Sequence, residues 1–392
     1  MKKNYNIDVQ TSRFLDVIRG ISAIVVMFFH VILIYILPKV GLRGYLDGVA
    51  ELLASYAVMA FFVISGFVIT ISILKNIERN DGQFKLSEFL SSRLVRLYPP
   101  LIFSLVLTIG VYGLIHNFHL HGSETFRLAG DLFAIREKAI LDWDNILWSL
   151  LFLQGFFSKE AAPSLNGSLW SLSYELWYYM AAMFFTSWLV NKRQFWGWSL
   201  ILVIILPMVY LEHIRFFAFL STWLAGSVWA LLYINRQTIE KQFKVLFGPI
   251  VVGLTALVIF IVYKNDHLVI ANPYTDFLSM ITQSLICWLG MLVAMRFILW
   301  QEGRSFNFFR ADQLAKFSYT LYVIHFPLLI LGFSFLHPLL HSLHWVYSGI
   351  TGVLLGLVII LISSRLAAWI ENKATIWKYI RRLKSMLGTG KA

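Results

Sequence analysis

Apolar runs of about 20 residues recur along the whole chain. A run of that length is what an α-helix needs to cross a hydrocarbon layer of about 30 Å, and helices satisfy their own backbone hydrogen bonds there. Ten runs fit this description, at residues 14–37, 50–74, 97–115, 168–190, 196–211, 215–233, 246–263, 277–299, 315–336 and 346–370. The sequence therefore predicts an all-α fold, a polytopic membrane helix bundle of about ten transmembrane helices.

The composition excludes a soluble globular protein. Hydrophobic residues make up 58% of the 392 residues and charged residues 14%, with a mean hydropathy of +0.71. A soluble core of this size needs far less apolar material. The first run begins at Phe14 and lacks a small-residue cleavage site, which favours a retained helix over a removed signal peptide. A single cysteine, Cys287, excludes an intramolecular disulfide.

The net charge of +12 is distributed by side of the membrane. With the N-terminus inside, 22 of the 33 Lys and Arg residues fall in cytosolic segments, 8 in outer segments and 3 within spans. This positive-inside bias predicts that both termini are cytosolic. It also explains the basic balance without a nucleic-acid partner, because the charges do not form one soluble patch.

The loops divide the chain into two predicted regions. Residues 1–372 form the membrane domain, which includes an extracytoplasmic insertion at 116–167. Within it, residues 146–157 are apolar but too short to span, so we interpret them as a re-entrant or interfacial segment. A full span there would invert every later loop and remove the charge bias. Residues 373–392 form a basic cytosolic tail, predicted to lie on anionic lipid headgroups.

Three ionisable residues lie in the first predicted helix: Asp16, Arg19 and His30. Arg19 and His30 are eleven residues apart, which places them within about 20° of one helix face and about 16 Å apart along the axis. Buried ionisable groups in a membrane are costly and indicate function. The alternative is a snorkelling arginine and a core histidine. A neutral imidazole at His30 is a competent general base.

Two arginines, Arg93 and Arg96, precede the third predicted span with i,i+3 spacing. Neighbouring guanidinium groups at a helix N-terminus suit phosphate binding, which arginine can achieve with two parallel hydrogen bonds. Taken alone, the pair is better explained as ordinary positive-inside arginines.

Polar residues also interrupt two later spans. Glu175 lies about two turns into the fourth, where a carboxylate is expected to pair with an intramembrane His or Arg, for function or as a structural ion pair. In the ninth, Tyr322 and His325 precede Pro327, which frees the carbonyl one turn back. His325 fits a catalytic group and a core histidine alike.

The outer histidines do not predict a metal site. His116, His119 and His121 form one group and His337, His341 and His344 another, but neither has acidic or Cys ligands at a recognised spacing. We therefore expect no metal. The segment around Ser65-Gly66 is typical of close helix packing, and Asn166 or Ser168 is a candidate cap for the fourth helix.

Five segments together resemble the membrane-bound acyltransferase 3 family, and they occur in the family's order over residues 13 to about 370. They are Arg13-Phe14-Leu15-Asp16-x-x-Arg19-Gly20 leading to His30, Phe61-Phe62-x-x-Ser65-Gly66-Phe67, Arg93-x-x-Arg96-x-Tyr98-Pro99, Trp170-Ser171-Leu172-x-x-Glu175, and Ser318-Tyr319-x-Leu321-Tyr322-x-x-His325-x-Pro327. No hydrolase-like domain is fused to them here, so the chain resembles a stand-alone member.

The resemblance implies an O-acyltransferase of the cytoplasmic (inner) membrane. It implies transfer of an acyl group, commonly acetyl, from cytosolic acetyl-CoA to a hydroxyl of an extracytoplasmic or lipid-linked glycan. His30, Asp16, Glu175 and His325 are then the catalytic candidates. The coenzyme-binding candidates are Arg19, Arg93, Arg96, Ser318 and Tyr322.

Two alternatives stay open from the sequence. A glycan transporter or flippase could line its path with the same buried charges. The same chemistry could also use a succinyl or longer acyl donor, and transfer could be direct or pass through an acyl-histidine.

Overall fold

The computed structural model describes residues 5–40, 45–123, 139–154, 163–191, 203, 214–264, 277–299 and 310–372. These described residues are mainly α-helical and contain no β-strand, which confirms the all-α prediction. The helices are α1 (Val9–Val31), α2 (Leu37–Val40), α3 (Tyr45–Arg79), α4 (Leu86–Asn117), α5 (Trp143–Leu150), α6 (Trp170–Asn191), α7 (Ile214–Ile234), α8 (Arg236–Lys264), α9 (Phe277–Leu299), α10 (Ser318–Leu340) and α11 (Trp345–Ile370). A π-helical turn (Ile32–Ile36) and two 3₁₀ turns (Ser164–Leu169 and Ala311–Lys316) complete the elements.

Seven helices of the described part are long and apolar enough to cross a membrane. They are Val9–Val40, Leu52–Arg79, Leu86–Asn117, Phe216–Ile234, Arg236–Lys264, Ser318–Leu340 and Trp345–Ile370. The membrane helix bundle is therefore confirmed, and α6 and α9 coincide with two further predicted spans. The span at 196–211 and the tail at 373–392 lie outside the described residues. The number of spans and the side of each terminus stay predictions.

The short helix α5 contains the start of the apolar segment 146–157. It has eight residues, about 12 Å of helix, which is less than half of a hydrocarbon layer. The Asp142 side chain caps it by accepting a hydrogen bond from the Asp144 backbone N–H. Its interfacial placement and the proposed domain limits stay predictions.

The chain folds as two compact units that alternate along the sequence. The first comprises Met1–Val25, Arg43–Phe89 and Ser171–Gln313, and the second comprises Val26–Leu42, Leu90–Trp170 and Leu314–Ala392. Helix α1 begins in the first unit and ends in the second.

In the first unit, α3 and α7 pack with almost no space between their backbones. A Cβ added at Gly66 would lie 1.9 Å from the Trp223 carbonyl oxygen, and one at Gly226 would lie 1.9 Å from the Val63 carbonyl oxygen. Reciprocal glycines let two backbones approach as small residues do in membrane helix pairs. The close-packing site predicted around Ser65-Gly66 is therefore confirmed.

In the second unit, the π-helical turn that follows α1 packs on α10 and α11. The Tyr35 hydroxyl donates to the Leu329 carbonyl oxygen (3.1 Å), and the Ser348 hydroxyl donates to the Tyr35 carbonyl oxygen (2.6 Å). Lys39 caps the end of α10, because its ammonium group donates to the carbonyl oxygens of Leu340, His341 and Leu343. These bonds join the end of the first span to α10.

Candidate active site

Two predicted site residues meet in the second unit. Nδ1 of His30, in the last turn of α1, lies 3.0 Å from Nε2 of His325 in the middle of α10. His325 is fully buried and His30 is partly exposed. A histidine pair with one ring shielded and one accessible is an arrangement that can hold and transfer a proton.

Backbone carbonyls fix the tautomer of each ring. Nδ1 of His325 lies 2.9 Å from the Leu321 carbonyl oxygen, and Nδ1 of His30 lies 2.9 Å from the Val26 carbonyl oxygen. A carbonyl oxygen only accepts, so both neutral rings carry their hydrogen on Nδ1. The single Nδ1–H of His30 is then shared between the Val26 carbonyl oxygen and Nε2 of His325 in a three-centre hydrogen bond. The basic lone pair of His30 is therefore on Nε2.

Aromatic rings hold the His30 imidazole in place. The Phe326 ring meets it edge-to-face at 4.8 Å between centroids, and the Phe29 ring does so at 5.2 Å. The π-helical turn begins two residues later, at Ile32. Such turns are rare and are frequent at functional sites, since they re-aim the side chains beside them.

Pro327 interrupts the hydrogen-bond ladder of α10 two residues after His325. Proline has no N–H, so the Val323 carbonyl oxygen loses its helical donor. The structure supplies two others: the Ser104 hydroxyl at 2.9 Å and the Asn166 side-chain amide at 3.0 Å. The freed carbonyl expected from the sequence is therefore present and hydrogen-bonded.

Asn166 is a residue whose role the sequence interpretation missed. It was a candidate helix cap, but its side chain is fully buried and bonds to Ser104 on α4 (2.8 Å) as well as to Val323 on α10. Its backbone is non-helical within the 3₁₀ turn, at φ −146° and ψ 59°. The available signal was Pro327, because a carbonyl freed inside a membrane requires a donor from a neighbouring element.

The arginine pair lies on the same unit as the histidines. Arg93 and Arg96 are half-buried on α4, eleven and eight residues before Ser104. They therefore lie about 12–17 Å along the helix from the level of the Ser104–Val323 bond. The expected helix N-terminus at this pair was wrong: α4 already begins at Leu86 and continues through Pro99 and Pro100, so both arginines lie inside the helix.

The start of α10 is tied down by polar contacts. The Ser318 hydroxyl donates to the Ala315 carbonyl oxygen (3.0 Å), and Glu371 accepts from the Thr320 backbone N–H (3.0 Å) and hydroxyl (2.5 Å). Tyr322 is buried one turn after Ser318. Neither contact tests the predicted coenzyme-binding roles of Ser318 and Tyr322.

The remaining predicted site residues lie in the first unit. Asp16 and Arg19 form an i,i+3 ion pair at 3.5 Å on α1. Their roles toward His30 stay predictions, as does that of Glu175.

The partner expected for Glu175 was wrong. Its carboxyl group accepts hydrogen bonds from the hydroxyls of Ser65 (3.2 Å) and Tyr179, and not from a histidine or arginine of the described chain. Trp223 donates in turn to Ser65 (3.3 Å). Hydroxyl donors satisfy a buried carboxyl group without a second charge, which avoids the cost of burying an ion pair.

The outer histidines engage one another and the backbone. The rings of His121 and His337 stack at 3.7 Å between centroids, and His116 Nε2 lies 2.9 Å from the Ala139 carbonyl oxygen. Among the described residues, no group of three or more His, Cys, Asp or Glu could hold a metal ion.

A small cavity lies in the second unit next to Phe326, and neither His30 nor His325 is among its described lining residues. Phe326, which contacts His30, is one of its walls, together with Leu33, Ile34, Leu165, Ile330 and Phe333. Its volume is about 30 Å³, room for about one or two water molecules, and it is partly open to the outside. Its described lining is mainly apolar and includes no charged side chain apart from the titratable His121.

The fold and this site together define a multi-pass membrane protein with a paired-histidine centre. The model of one family, described as an acyltransferase domain (acyltransferase 3), matches residues 12–369. The chain therefore belongs to the acyltransferase 3 family, as its five motifs predicted, and is a membrane acyltransferase. Comparison with curated proteins and with solved structures gave no significant match.

Proposed function

We propose that the protein is an O-acyltransferase that moves an acyl group, acetyl in the simplest case, from cytosolic acyl-CoA to a hydroxyl of an extracytoplasmic or lipid-linked glycan. The observation that carries the proposal is the His30–His325 pair, whose hydrogen-bond geometry leaves a basic nitrogen on His30. We place the protein in the cytoplasmic (inner) membrane, with membrane lipids around it.

The donor is bound by the arginine pair. Arg93 and Arg96 hold coenzyme A phosphates, which two guanidinium groups can grip with parallel hydrogen bonds. Their distance of about 12–17 Å along α4 from the Ser104–Val323 level suits an extended pantetheine arm. Ser318 and Tyr322, near the start of α10, contribute further coenzyme contacts.

The chemical step is a direct acyl transfer. His30 Nε2 takes the proton of the acceptor hydroxyl while the hydroxyl oxygen attacks the thioester carbonyl carbon. The carbon–sulfur bond then breaks, and the departing thiolate takes the proton from the His30 imidazolium. The products are the glycan ester and free coenzyme A, and His30 returns to its neutral form.

The second histidine stabilises the charged intermediate state of the first. When His30 is an imidazolium, its Nδ1–H donates to the neutral Nε2 of His325, which holds the ring in one orientation. His325 cannot rotate easily because its own Nδ1–H donates to Leu321. A general base held in this way typically contributes 10²–10⁴-fold in rate.

The acceptor and the acyl group meet beside the cavity next to Phe326. Its described walls are mainly apolar and include no Lys or Arg to pair with a second carboxylate, which favours acetyl over succinyl. A series of acetyl-, hexanoyl- and succinyl-CoA tests this preference.

The proposed function is tested with the purified protein, radiolabelled acetyl-CoA and candidate glycans. Label in the glycan and stoichiometric release of the coenzyme thiol are expected with the wild-type protein and not with His30→Ala. His119→Asn is the control, because His119 is exposed and its positive φ of 50° is tolerated by Asn. Glycan translocation in vesicles without label transfer would instead support the transporter alternative.

A further inference from the structure

The turn of α10 that carries His325 is held from outside the helix. The Val323 carbonyl oxygen has lost its helical donor to Pro327 and accepts from Ser104 and Asn166. The next carbonyl toward the N-terminus, that of Tyr322, lies 3.2 Å from the Ser168 hydroxyl. Two side chains, Ser104 of α4 and Asn166 of the segment before α6, therefore hold the backbone just ahead of the histidine.

Asn166 is the centre of this arrangement. Its amide nitrogen reaches Ser104 Oγ at 2.8 Å and the Val323 carbonyl at 3.0 Å, and its oxygen accepts from the Ser168 hydroxyl at 2.8 Å. Asn166, Ser104 and Ser168 are at most 2% exposed. A buried amide is stable only when its hydrogen bonds are made, so this network defines one geometry.

This geometry matters because the hydrogen bond between His325 and His30 tolerates little change in its length. His325 Nε2 and His30 Nδ1 are 3.0 Å apart, and a hydrogen bond between nitrogens weakens steeply beyond about 3.2–3.5 Å. A shift of about 0.5 Å in the His325 turn is enough to lose it.

We propose that Asn166, acting with Ser104, is a positioning residue for acyl transfer: it holds the turn of α10 whose hydrogen bond Pro327 removes, so that His325 meets His30. The inference rests on the proposed function, since it assigns Asn166 to the same transfer step. Asn166 acts through α10, and the acyl donor binds elsewhere in the unit.

The first test separates turnover from donor binding. Asn166→Ala and Asn166→Leu, which has a similar size and no donor for Val323, are expected to lower kcat about 10- to 100-fold, as small misplacements of catalytic groups do. The KM for acyl-CoA is expected to stay within about twofold of wild type. Ser363→Ala is the matched control, because Ser363 is equally buried and donates to the Ile359 carbonyl on α11.

The second test removes the reason for the network. Pro327→Ala restores an N–H that can bond to the Val323 carbonyl, so the carbonyl no longer needs Ser104 or Asn166. In the Pro327→Ala background, Asn166→Ala is expected to lower kcat by less than about threefold. The two substitutions are thus expected to be strongly non-additive.

The outcomes distinguish the two claims. Suppose that the wild type is active. The positioning role alone is then overturned if Asn166→Ala keeps the wild-type kcat, or if the losses of kcat from Asn166→Ala and Pro327→Ala are additive. A wild type that transfers no label overturns the proposed function and the positioning role with it. If Asn166→Ala does not fold, the same cycle with Ser104→Ala replaces it, because Ser104 donates to the same carbonyl.

Discussion

The Tyr319 hydroxyl donates to the Leu97 carbonyl oxygen, 3.2 Å away, and so fastens the beginning of α10 to α4 directly after Arg96. Farther along both helices, the Ser104 hydroxyl donates to Val323. The two helices are therefore joined at two levels, one beside the arginine pair and one at the carbonyl that Pro327 frees. The part of α4 that carries the arginine pair and the part of α10 that carries His325 are thus tied to each other within the second unit.

This arrangement predicts a donor-specific defect for Arg96→Lys. Lysine keeps the charge but cannot form two parallel hydrogen bonds to a phosphate. We expect the KM for acyl-CoA to rise about 5- to 20-fold, equivalent to about 1–2 kcal/mol, while kcat and the KM for the glycan change little. Steady-state kinetics with each substrate varied separately measure this. Arg236→Lys is the control. If Arg96→Lys and the wild type had equal KM values for acyl-CoA, the assignment of Arg96 to phosphate binding would be contradicted.

The histidine pair predicts a graded series. His30→Ala is expected to lower kcat by at least about 10³-fold, because no base remains. His325→Gln keeps an acceptor for the His30 Nδ1–H, so it is expected to lose only about tenfold, whereas His325→Phe should lose about 100-fold. Single-turnover label transfer gives the rates. If His325→Phe transferred label faster than His325→Gln, the hydrogen bond to His30 would not explain the role of His325.

The glycine contacts between α3 and α7 predict a folding defect. Gly66→Ala places a methyl group where only 1.9 Å separates it from the Trp223 carbonyl oxygen, so the two helices must separate. We expect a loss of several kcal/mol and little protein that survives detergent extraction. Gly253→Ala on α8 meets nothing within 4 Å and should extract normally. Size-exclusion chromatography of the detergent extracts compares the amount of folded protein that the two variants give.

Asp8, just ahead of α1, predicts a pH-dependent contribution to stability. Burial raises its pKa, but hydrogen bonds from Thr11 and Tyr233 and the nearby Arg236 outweigh this and lower the pKa below the usual 3.8. Because the pKa of Asp8 is lower in the folded state, its ionised form stabilises the fold at any pH above the unfolded-state pKa. This stabilisation is lost as the pH falls through the folded-state pKa.

Asp8→Ala should therefore cost about 1 kcal/mol at pH 7, as loss of a helix cap does. The difference in unfolding temperature between variant and wild type should shrink below about pH 3.8. Thermal unfolding in detergent at both pH values tests this, and a difference that does not depend on pH would assign the effect to packing.

The sequence predicted the helices well because their length is set by the membrane. Every apolar run in the described residues that was long enough to span lies on a helix, and the family was predicted correctly. The close approach at Gly66 was also predicted, since adjacent small residues in an apolar helix are typical of helix-packing interfaces in membranes.

Contacts between distant residues could not be predicted from the sequence. His30 and His325 are 295 positions apart, and helical periodicity gives the face of each helix but not its neighbour. Glu175 shows the same limit, because a charge partner was expected and hydroxyls of Ser65 and Tyr179 take its place. Asn166 was missed because a cap and a buried donor look alike in a sequence.

Pro327 has a consequence for anyone who engineers this protein. Its replacement by a better helix former returns a backbone hydrogen bond to α10, so it should make the protein more heat-resistant while it moves His325 away from its partner. A selection for thermal tolerance alone would enrich that change. The variants that best withstand purification would then be the ones least able to act on a substrate.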